Sequence, residues 1–327
     1  MDRTRRSTLK ALAAAPLAAA LPAAFAQEAW PARALRLVVP FPPGGLTDVL
    51  GRAVAERLSR GIGQPVVVEN KPGAGTMIGA EAIAKSPADG YSLLLATSTT
   101  FGIAPAVYKH PLIDPLRDFQ PVSLIGTVNF FLIGSPAFPP NKLQEMIALI
   151  KANPGKYNYA SVGNGTAHHL FMEDLKHRLD LQIQHVPYKG TPAALVDVLP
   201  GKVQIMFCDA AVALPLIQSG KVKAYGTSAA KQNRLVPSVP PIAKTVPGFD
   251  WQAWQGIAVA AATPAPVVAR LSAELQKLQQ AEEFKAFLAK VGMEPWPPIT
   301  PAQFSALVKD DMAQWAEAVR AAGAKID

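Results

Sequence analysis

Six loops in this chain carry mostly glycine and hydroxyl residues where an apolar run ends and a helical pattern begins. They span residues 41–48, 71–76, 97–100, 161–166, 188–191 and 208–211. Each offers backbone N–H groups at a helix start, and a helix N-terminus favours an anion by about 0.3–1 kcal/mol. Charge-assisted hydrogen bonds contribute ~1.5–3 kcal/mol each, so two or three converging loops could support roughly micromolar affinity. Because no arginine lies in these loops, they indicate capture of a small anion, such as a carboxylate, by backbone amides and hydroxyl groups.

The first of these loops follows an apolar run over residues 35–39. The run is bounded by Pro40, which predicts a buried strand that ends there, because proline donates no backbone hydrogen bond. Gly44 and Gly45 let the backbone turn and approach a ligand closely. Thr47 and Asp48 are typical of a helix start. The segment therefore predicts a strand, a bare loop and a helix N-terminus that together hold an anion.

Apolar runs and helical patterns alternate along the chain, which predicts βαβ units and a mostly parallel sheet. The runs 122–126 and 129–133 have no helix between them, as expected where a chain crosses between two lobes. The apolar run 254–261 is the expected return crossing. We therefore predict an α/β fold of two lobes joined by two hinge crossings, with the ligand cleft at the carboxyl ends of the strands. The predicted bounds are residues 27–126 plus 252–327 for lobe 1 and residues 127–251 for lobe 2.

Residues 1–26 have the features of an export signal peptide. Four basic residues precede an alanine-rich apolar stretch, and Ala24-Phe25-Ala26 fits an A-x-A cleavage site. The adjacent Arg5 and Arg6 favour a twin-arginine signal, with an ordinary secretory leader as the alternative. Both predict a periplasmic protein, and no later apolar run is long enough to span a bilayer.

Composition argues against several other classes of protein. The formal charge of +8 falls to +5 without the four basic residues and one acid of the leader. The remaining basic residues are scattered, so no nucleic-acid partner is expected. Cys208 is the single cysteine, which excludes an internal disulfide and is typical of a small buried residue.

Two motifs that could bind a cofactor or a metal are incomplete. Gly73, Gly75 and Gly79 are spaced one residue too widely for the dinucleotide fingerprint, and the acidic residue that should follow is missing. His169 and Glu173 could share a helix face as metal ligands do, but no third ligand is evident. We expect neither a cofactor nor a metal.

Five motifs in order resemble one known family. VVPFPPGGLTD, VENKPGAG, ADGYSLL, the GNG…HHL segment and HVPYKGTPAAL are similar to the Bug family, the substrate-binding proteins of tripartite tricarboxylate transporters. The resemblance covers essentially the whole chain after the leader. It implies a two-lobed periplasmic-binding-protein fold of type II, no enzymatic activity, a small carboxylate ligand and a membrane permease as partner. We expect the protein to be a monomer.

The resemblance also implies where the ligand binds. In the family, loops of the second lobe hold one ligand carboxylate, and ordered waters bridge its other end to the PFPPGG loop. The first role would fall to Ser161, Thr166 and the region of Tyr188, and the second to residues 41–47. The full set of ligand-binding residues implied is Phe41, Gly44, Gly45, Leu46, Thr47, Asp48, Ala74, Gly75, Ser98, Ser161, Gly163, Gly165, Thr166, His169, Tyr188, Gly190, Thr191 and Asp209.

Two departures from the family pattern fall near this predicted site. Ala167 and His168 replace a common proline–serine pair before His169, and this change could alter the pocket wall. Thr76 stands where glycine is frequent. We expect His168 to be partly exposed and His169 to cap or pack its helix. Trp251 and Trp254 could wall the cleft or pack at the crossing.

Two other functions stay open at the level of sequence. One is an α/β enzyme acting on a small carboxylate or phosphate, for which Asp48, His169 and Asp209 are the candidate bases. These three residues are scattered over separate loops, with no nucleophile evident beside them. The other is an orphan sensor subunit that signals through a partner protein. The ligand also stays open among dicarboxylates, tricarboxylates, acidic amino acids and aromatic carboxylates.

Overall fold

The computed structural model describes residues 30–321 and residue 323, so the signal peptide predicted over residues 1–26 lies outside the described residues. Within the described part, the chain forms eleven strands and eleven α-helices. The strands are β1 (Leu35–Val39), β2 (Val66–Asn70), β3 (Ser92–Thr97), β4 (Phe119–Val128), β5 (Phe130–Gly134), β6 (Asn158–Ser161), β7 (Gln184–Pro187), β8 (Ile205–Asp209), β9 (Lys223–Thr227), β10 (Ala253–Ala260) and β11 (Met293–Pro295). The helices are α1 (Leu46–Ile62), α2 (Met77–Ala84), α3 (Ala104–Val107), α4 (Pro115–Asp118), α5 (Leu143–Lys151), α6 (Ala167–Leu179), α7 (Thr191–Val198), α8 (Ala210–Gln218), α9 (Ala265–Gln280), α10 (Glu282–Lys290) and α11 (Pro301–Ala321).

The strands form two sheets. The first has six strands in the order β11-β4-β10-β3-β1-β2, and the second has five in the order β7-β6-β8-β5-β9. The chain passes from the first sheet to the second between β4 and β5, and it returns between β9 and β10. Both predicted crossings therefore coincide with transitions between the sheets. The exact lobe bounds stay a prediction.

Both sheets are mixed, so the expectation of a mostly parallel sheet was wrong. The strands β1, β2 and β3 pair in parallel, as do β6 with β7 and β8. The crossing strands differ, because β4 pairs antiparallel with β10, and β5 pairs antiparallel with β8 and β9. A strand that enters a sheet directly from the other one, without a crossover helix, is free to run in the opposite direction.

The strand β1 shows why these residues form the centre of the first sheet. Leu37 and Val38 point to opposite faces and are both fully buried. Leu37 packs in the core cluster that includes Leu50 of α1, whereas Val38 packs in the one that includes Met77 of α2. Burying side chains of this size stabilises the fold by about 1.5–3 kcal/mol each. Because α1 and α2 pack on the two faces of β1, only the carboxyl end of the strand and the loop after it can face a ligand.

The helices complete the layers around the sheets. The long C-terminal helix α11 packs against β4 and against the π-helical turn Thr99–Ile103. Among the described residues, no helix combines the length and apolar character needed to cross a membrane.

Candidate ligand-binding site

Two cavities lie between the loops after β1, β2 and β3 and the loops after β6, β7 and β8. The inner cavity has a volume of about 40 Å³ and the outer one about 520 Å³. Phe41, Pro42 and Val162 line both and separate them. Since a water molecule needs roughly 10–15 Å³ on this measure, the inner cavity has room for about three waters, or for a ligand group of that size.

Asp48 holds the opening loop in shape and does not line either cavity. One carboxylate oxygen accepts from the backbone of Gly44 and from Arg52, both at 3.1 Å, and the other accepts from Asn70 at 3.0 Å. Burial favours a raised pKa for Asp48, but the hydrogen bonds from Arg52, Asn70 and Gly44 outweigh it and hold the pKa below its ordinary value. Asn70 also donates to the carbonyl of Phe41 at 3.0 Å. Asp48 is therefore a positioning residue for the loop.

The glycine loop after β6 is held by its own side chains. The Thr166 hydroxyl donates to the carbonyl of Gly163 at 2.7 Å, and the Gly163 amide donates to Ser161 at 3.1 Å. The Gly165 amide donates to Nδ1 of His169 at 3.3 Å. Burial lowers the pKa of His169, which keeps its ring neutral and able to accept this bond. The ligand role implied for the Ser161 and Thr166 hydroxyls stays a prediction, because here they support the loop backbone.

The structure brings a histidine to Ser161 that the sequence did not indicate. Nε2 of His185 lies 2.6 Å from the Ser161 hydroxyl, and its ring stacks between His169 and Tyr159. A serine beside a histidine could suggest a nucleophile and its base. However, burial lowers the pKa of His185 to about 3, with a smaller contribution from His169, so it is a poor base near neutral pH. The hydrogen-bonded pair of Ser161 and His185 therefore stabilises the glycine loop after β6.

His168 is buried, which corrects the expectation of partial exposure. It is 7% exposed and lines the inner cavity, where its ring meets Phe130 edge-on with centroids 4.9 Å apart. Among the described residues, neither ring nitrogen has a hydrogen-bond partner. The carboxylate of Asp209 lies 4.0 Å from Nε2. Its departure from the family pattern was the one signal in the sequence that pointed to this residue.

Gln255 is the second polar side chain without a full set of partners in this cavity. It is 4% exposed, and its Nε2 donates to the Thr47 hydroxyl at 3.1 Å. Its Oε1 has no partner. Because a buried polar atom without a partner costs about 1–3 kcal/mol, His168 and Gln255 mark a place where a polar ligand group would be stabilised.

Two glycines allow the facing loops to come close. Gly75 has a φ of +58°, and a Cβ there would lie 2.9 Å from the Tyr108 ring and 3.2 Å from the carbonyl of Asn164. Gly190 has a φ of +119°, and a Cβ there would lie 2.5 Å from Pro42. The contacts of Gly75 with Asn164 and of Gly190 with Pro42 cross the cleft, so a larger residue at either position would hold the loops apart.

The eighteen predicted residues fall into three groups. The inner cavity is lined by Phe41, Gly45, Leu46, Thr47, Gly190, Thr191 and Asp209. The outer cavity is lined by Phe41, Ala74, Gly75, Gly163, Thr166 and Tyr188. Neither cavity is lined by Gly44, Asp48, Ser98, Ser161, Gly165 or His169, which lie in or behind the loops.

Sequence reasoning missed much of the inner wall. The residues that line the inner cavity but lie outside the predicted set of eighteen are Pro42, Thr97, Thr99, Val128, Phe130, Val162, Ala167, His168, Pro192, Ala253, Trp254 and Gln255. Several of these belong to the crossing strands β4, β5 and β10. Trp254 lines the cavity and also packs at the crossing, so both interpretations offered for it hold. Within the described part of the chain, no group of three or more metal-ligating side chains is brought together.

A family model covers most of the chain. Residues 50–324 match the tripartite tricarboxylate transporter family receptor, TctC. The chain belongs to the TctC family. Protein BugT of Bordetella pertussis, a relative of this TctC protein, is 34% identical over 315 residues, which is 94% of this chain and 95% of the relative.

Solved structures agree with this TctC assignment. Periplasmic binding protein BugD is 36% identical with a TM-score of 0.86, over 90% of this chain and 99% of that chain. An R. palustris protein solved with adipate is 30% identical with a TM-score of 0.87, over 90% and 98%. MatC from Rhodopseudomonas palustris, with bound malate, is 30% identical with a TM-score of 0.84, over 88% and 99%.

These findings confirm the resemblance to the Bug proteins and the periplasmic-binding-protein fold. TctC and Bug proteins are periplasmic solute-binding proteins, so the chain is a binding protein and the enzyme alternative is set aside.

Proposed function

We propose that this TctC protein captures a small carboxylate in the inner cavity and delivers it to a membrane permease of the tripartite tricarboxylate transporter type. Two relatives of known structure hold dicarboxylates, adipate and malate. The predicted signal peptide, by the twin-arginine or the ordinary secretory route, would bring the protein to the periplasm as a monomer.

The observation that carries this proposal is the pair of buried polar side chains in the inner cavity. His168 lies on α6, which follows a strand of the second sheet, and Gln255 lies on β10 of the first sheet. Both leave polar atoms without partners. A ligand between them would contact both sides of the cleft at once. Because such a ligand binds the closed arrangement better than an open one, it would shift the hinge equilibrium toward closure.

Helix starts supply the attraction for an anion. The helix α1 has 17 residues and begins beside the inner cavity at Leu46, with Gly45 as its extended N-cap. The helix α7 begins beside the same cavity at Thr191. The first N–H groups of a helix have no partner within it, and the helix dipole favours negative charge there. No lysine or arginine is among the described residues that line the inner cavity, so amides and neutral side chains would hold the carboxylate.

A thermal-shift and calorimetric screen tests the ligand class. The mature protein, residues 27–327, would be titrated with dicarboxylates, tricarboxylates, acidic amino acids and aromatic acids, with matched neutral amides as controls. A ligand at about 100 times its dissociation constant adds about 2.7 kcal/mol to the free energy of unfolding. We expect at least one acid to raise the melting temperature while its amide does not. If no acid does so, the proposed function is wrong.

Uptake in cells tests the link to transport separately. Cells that lack this chain should take up the radiolabelled acid more slowly, and plasmid-borne expression should restore the rate. Undiminished uptake, with binding intact in vitro, would overturn the transport role and leave carboxylate binding standing.

A further inference from the structure

We propose that the inner cavity selects a carboxylic acid that also carries a hydrogen-bond donor, a hydroxyl or an ammonium group, close to its carboxylate. This inference rests on the proposed function and specifies the ligand class. It comes from the hydrogen-bonding groups of the residues that line the cavity. Two of these groups, Oε1 of Gln255 and the carboxylate of Asp209, are acceptors that could take further hydrogen bonds.

The first acceptor is Oε1 of Gln255. Its amide nitrogen is already engaged with Thr47, and the oxygen, buried in a side chain that lines the cavity, has no partner among the described residues. A ligand of carboxylates and methylene groups brings acceptors only. Such a ligand would bury this oxygen unsatisfied, and binding would lose the free energy that a matching donor supplies.

The second acceptor is the carboxylate of Asp209. Among the described residues that line the inner cavity, it is the sole carboxylic acid, and no lysine or arginine accompanies it. Its two hydrogen bonds, from the Val212 amide and the Thr191 hydroxyl, are long at 3.4 and 3.5 Å. A ligand carboxylate placed directly beside Asp209 would be repelled, whereas a hydroxyl or an ammonium group of the ligand would be attracted there.

His168 completes the arrangement. A neutral imidazole has one N–H donor and one acceptor nitrogen, and both nitrogens of His168 are without a partner. Its Nε2 lies 4.0 Å from Asp209, so a ligand group between the two could contact both. The ring can thus donate to the ligand carboxylate, while a neighbouring ammonium group donates to both Asp209 and Gln255, or a neighbouring hydroxyl group donates to one of them.

The size of the cavity limits this recognition to one end of the ligand. About 40 Å³ accommodates roughly a carboxylate and the carbon beside it. The remainder of the ligand would pass Phe41, Pro42 and Val162 into the outer cavity of about 520 Å³. We therefore expect the protein to discriminate strongly between acids with and without a donor near the carboxylate, and only weakly between acids of different length.

Matched ligands test the inference directly. Succinate, L-malate and L-aspartate share a four-carbon skeleton with two carboxylates and differ in carrying no donor, a hydroxyl or an ammonium group. Calorimetric titration of the mature protein should give a dissociation constant at least tenfold lower for L-malate or L-aspartate than for succinate. Preference for L-malate identifies a hydroxy acid as the ligand class, and preference for L-aspartate identifies an amino acid.

Variants assign the selection to the two acceptors. Gln255→Met keeps the length of the side chain but removes its acceptor, and Asp209→Asn removes the charge. If the preferred acid carries an ammonium group, each variant should reduce its preference over succinate, taken as the ratio of the two dissociation constants, by about tenfold or more; if it carries a hydroxyl group, at least one of the two variants should do so. Gln276→Met on α9, away from both cavities, is the matched control for glutamine replacement and should change neither affinity. Far-ultraviolet circular dichroism and the melting temperature show whether each variant is folded.

The possible results separate this inference from the proposed function. Succinate binding as tightly as both other acids, or a preference unchanged in both cavity variants, would overturn the donor selection and leave carboxylate capture intact. Binding of no acid at all would overturn both.

Discussion

The backbone of Gly45 borders the inner cavity in an extended conformation, with φ −89° and ψ 173°. Apart from its chain neighbours, no atom lies within 4 Å of where a Cβ would stand. A β-branched residue adopts this conformation without strain. A side chain at this position would therefore occupy space that the ligand needs, with little effect on the fold.

We expect Gly45→Val to weaken binding of the cognate acid by at least about tenfold, which corresponds to ~1.4 kcal/mol. Gly45→Ala should have an intermediate effect, because its methyl group fills less of the cavity. Calorimetry gives the affinities, and the melting temperature of the ligand-free variants should stay close to that of the parent protein. Normal binding by the valine variant would remove the opening loop from the site.

At the scale of elements, α11 is joined to the crossing strand β10 through one half-buried carboxyl group. Asp311 on α11 accepts from the indole N–H of Trp254 at 2.8 Å and from that of Trp315 at 3.0 Å. Burial raises the pKa of Asp311 to about 7, although both indole bonds act to lower it. Since Trp254 also lines the inner cavity, this carboxyl group supports the wall of the candidate site from behind.

The raised pKa of Asp311 predicts a pH-dependent stability. The folded protein retains this proton up to about pH 7, whereas an unfolded aspartate releases it near pH 3.9, so the contribution is present at low pH and is lost as the pH rises to about 7. Relative to Asp311→Asn, the parent should lose about 2–3 kcal/mol of unfolding free energy between pH 5 and pH 8. Urea unfolding at both values measures this difference. The neighbouring Asp310, as Asp310→Asn, is the exposed control. Parallel pH profiles for parent and Asp311→Asn would show that Asp311 is ionised throughout.

At the scale of the whole molecule, the facing loops lie close together across the cleft. The Thr99 hydroxyl accepts from the Ala167 amide at 3.3 Å, and the Tyr108 hydroxyl donates to the carbonyl of Asn164 at 3.4 Å. Gly190 packs on Pro42 so tightly that a Cβ there would stand 2.5 Å from the proline ring. Opening of these contacts would widen the path to the inner cavity, so we expect the ligand-free protein in solution to sample a more open arrangement.

Gly190→Ala should block full closure. Small-angle scattering of the parent protein should show a smaller radius of gyration when the cognate acid is added, and the variant should show a reduced change together with weaker binding. Gly155→Ala is a matched control, because Gly155 also has a positive φ of +74° but nothing lies near its Cβ position. If the radius of gyration decreases by the same amount in Gly190→Ala and Gly155→Ala when the acid is added, the contact between residue 190 and Pro42 does not limit closure.

Local pattern in the sequence was enough to predict the alternation of strands and helices and the position of the opening loop. The strand β1 has the bounds that its apolar run and Pro40 predicted, and α1 begins one residue before the predicted start. Turn chemistry and hydrophobic period act over a few residues, so they can be interpreted without knowing the fold. Of the eighteen residues that the family resemblance implied, most of them in these loops, twelve line a cavity, seven the inner one and five more the outer one.

Only the tertiary structure decided which further groups line the two cavities. Gln255 meets Thr47 across 208 positions of sequence, and His185 meets Ser161 only because β6 and β7 pair. The antiparallel crossing strands and the burial of His168 likewise depend on how distant segments pack. Spacing along a chain determines local conformation, but the walls of a cavity, and the partners that its polar atoms lack, are determined by which segments the topology brings together.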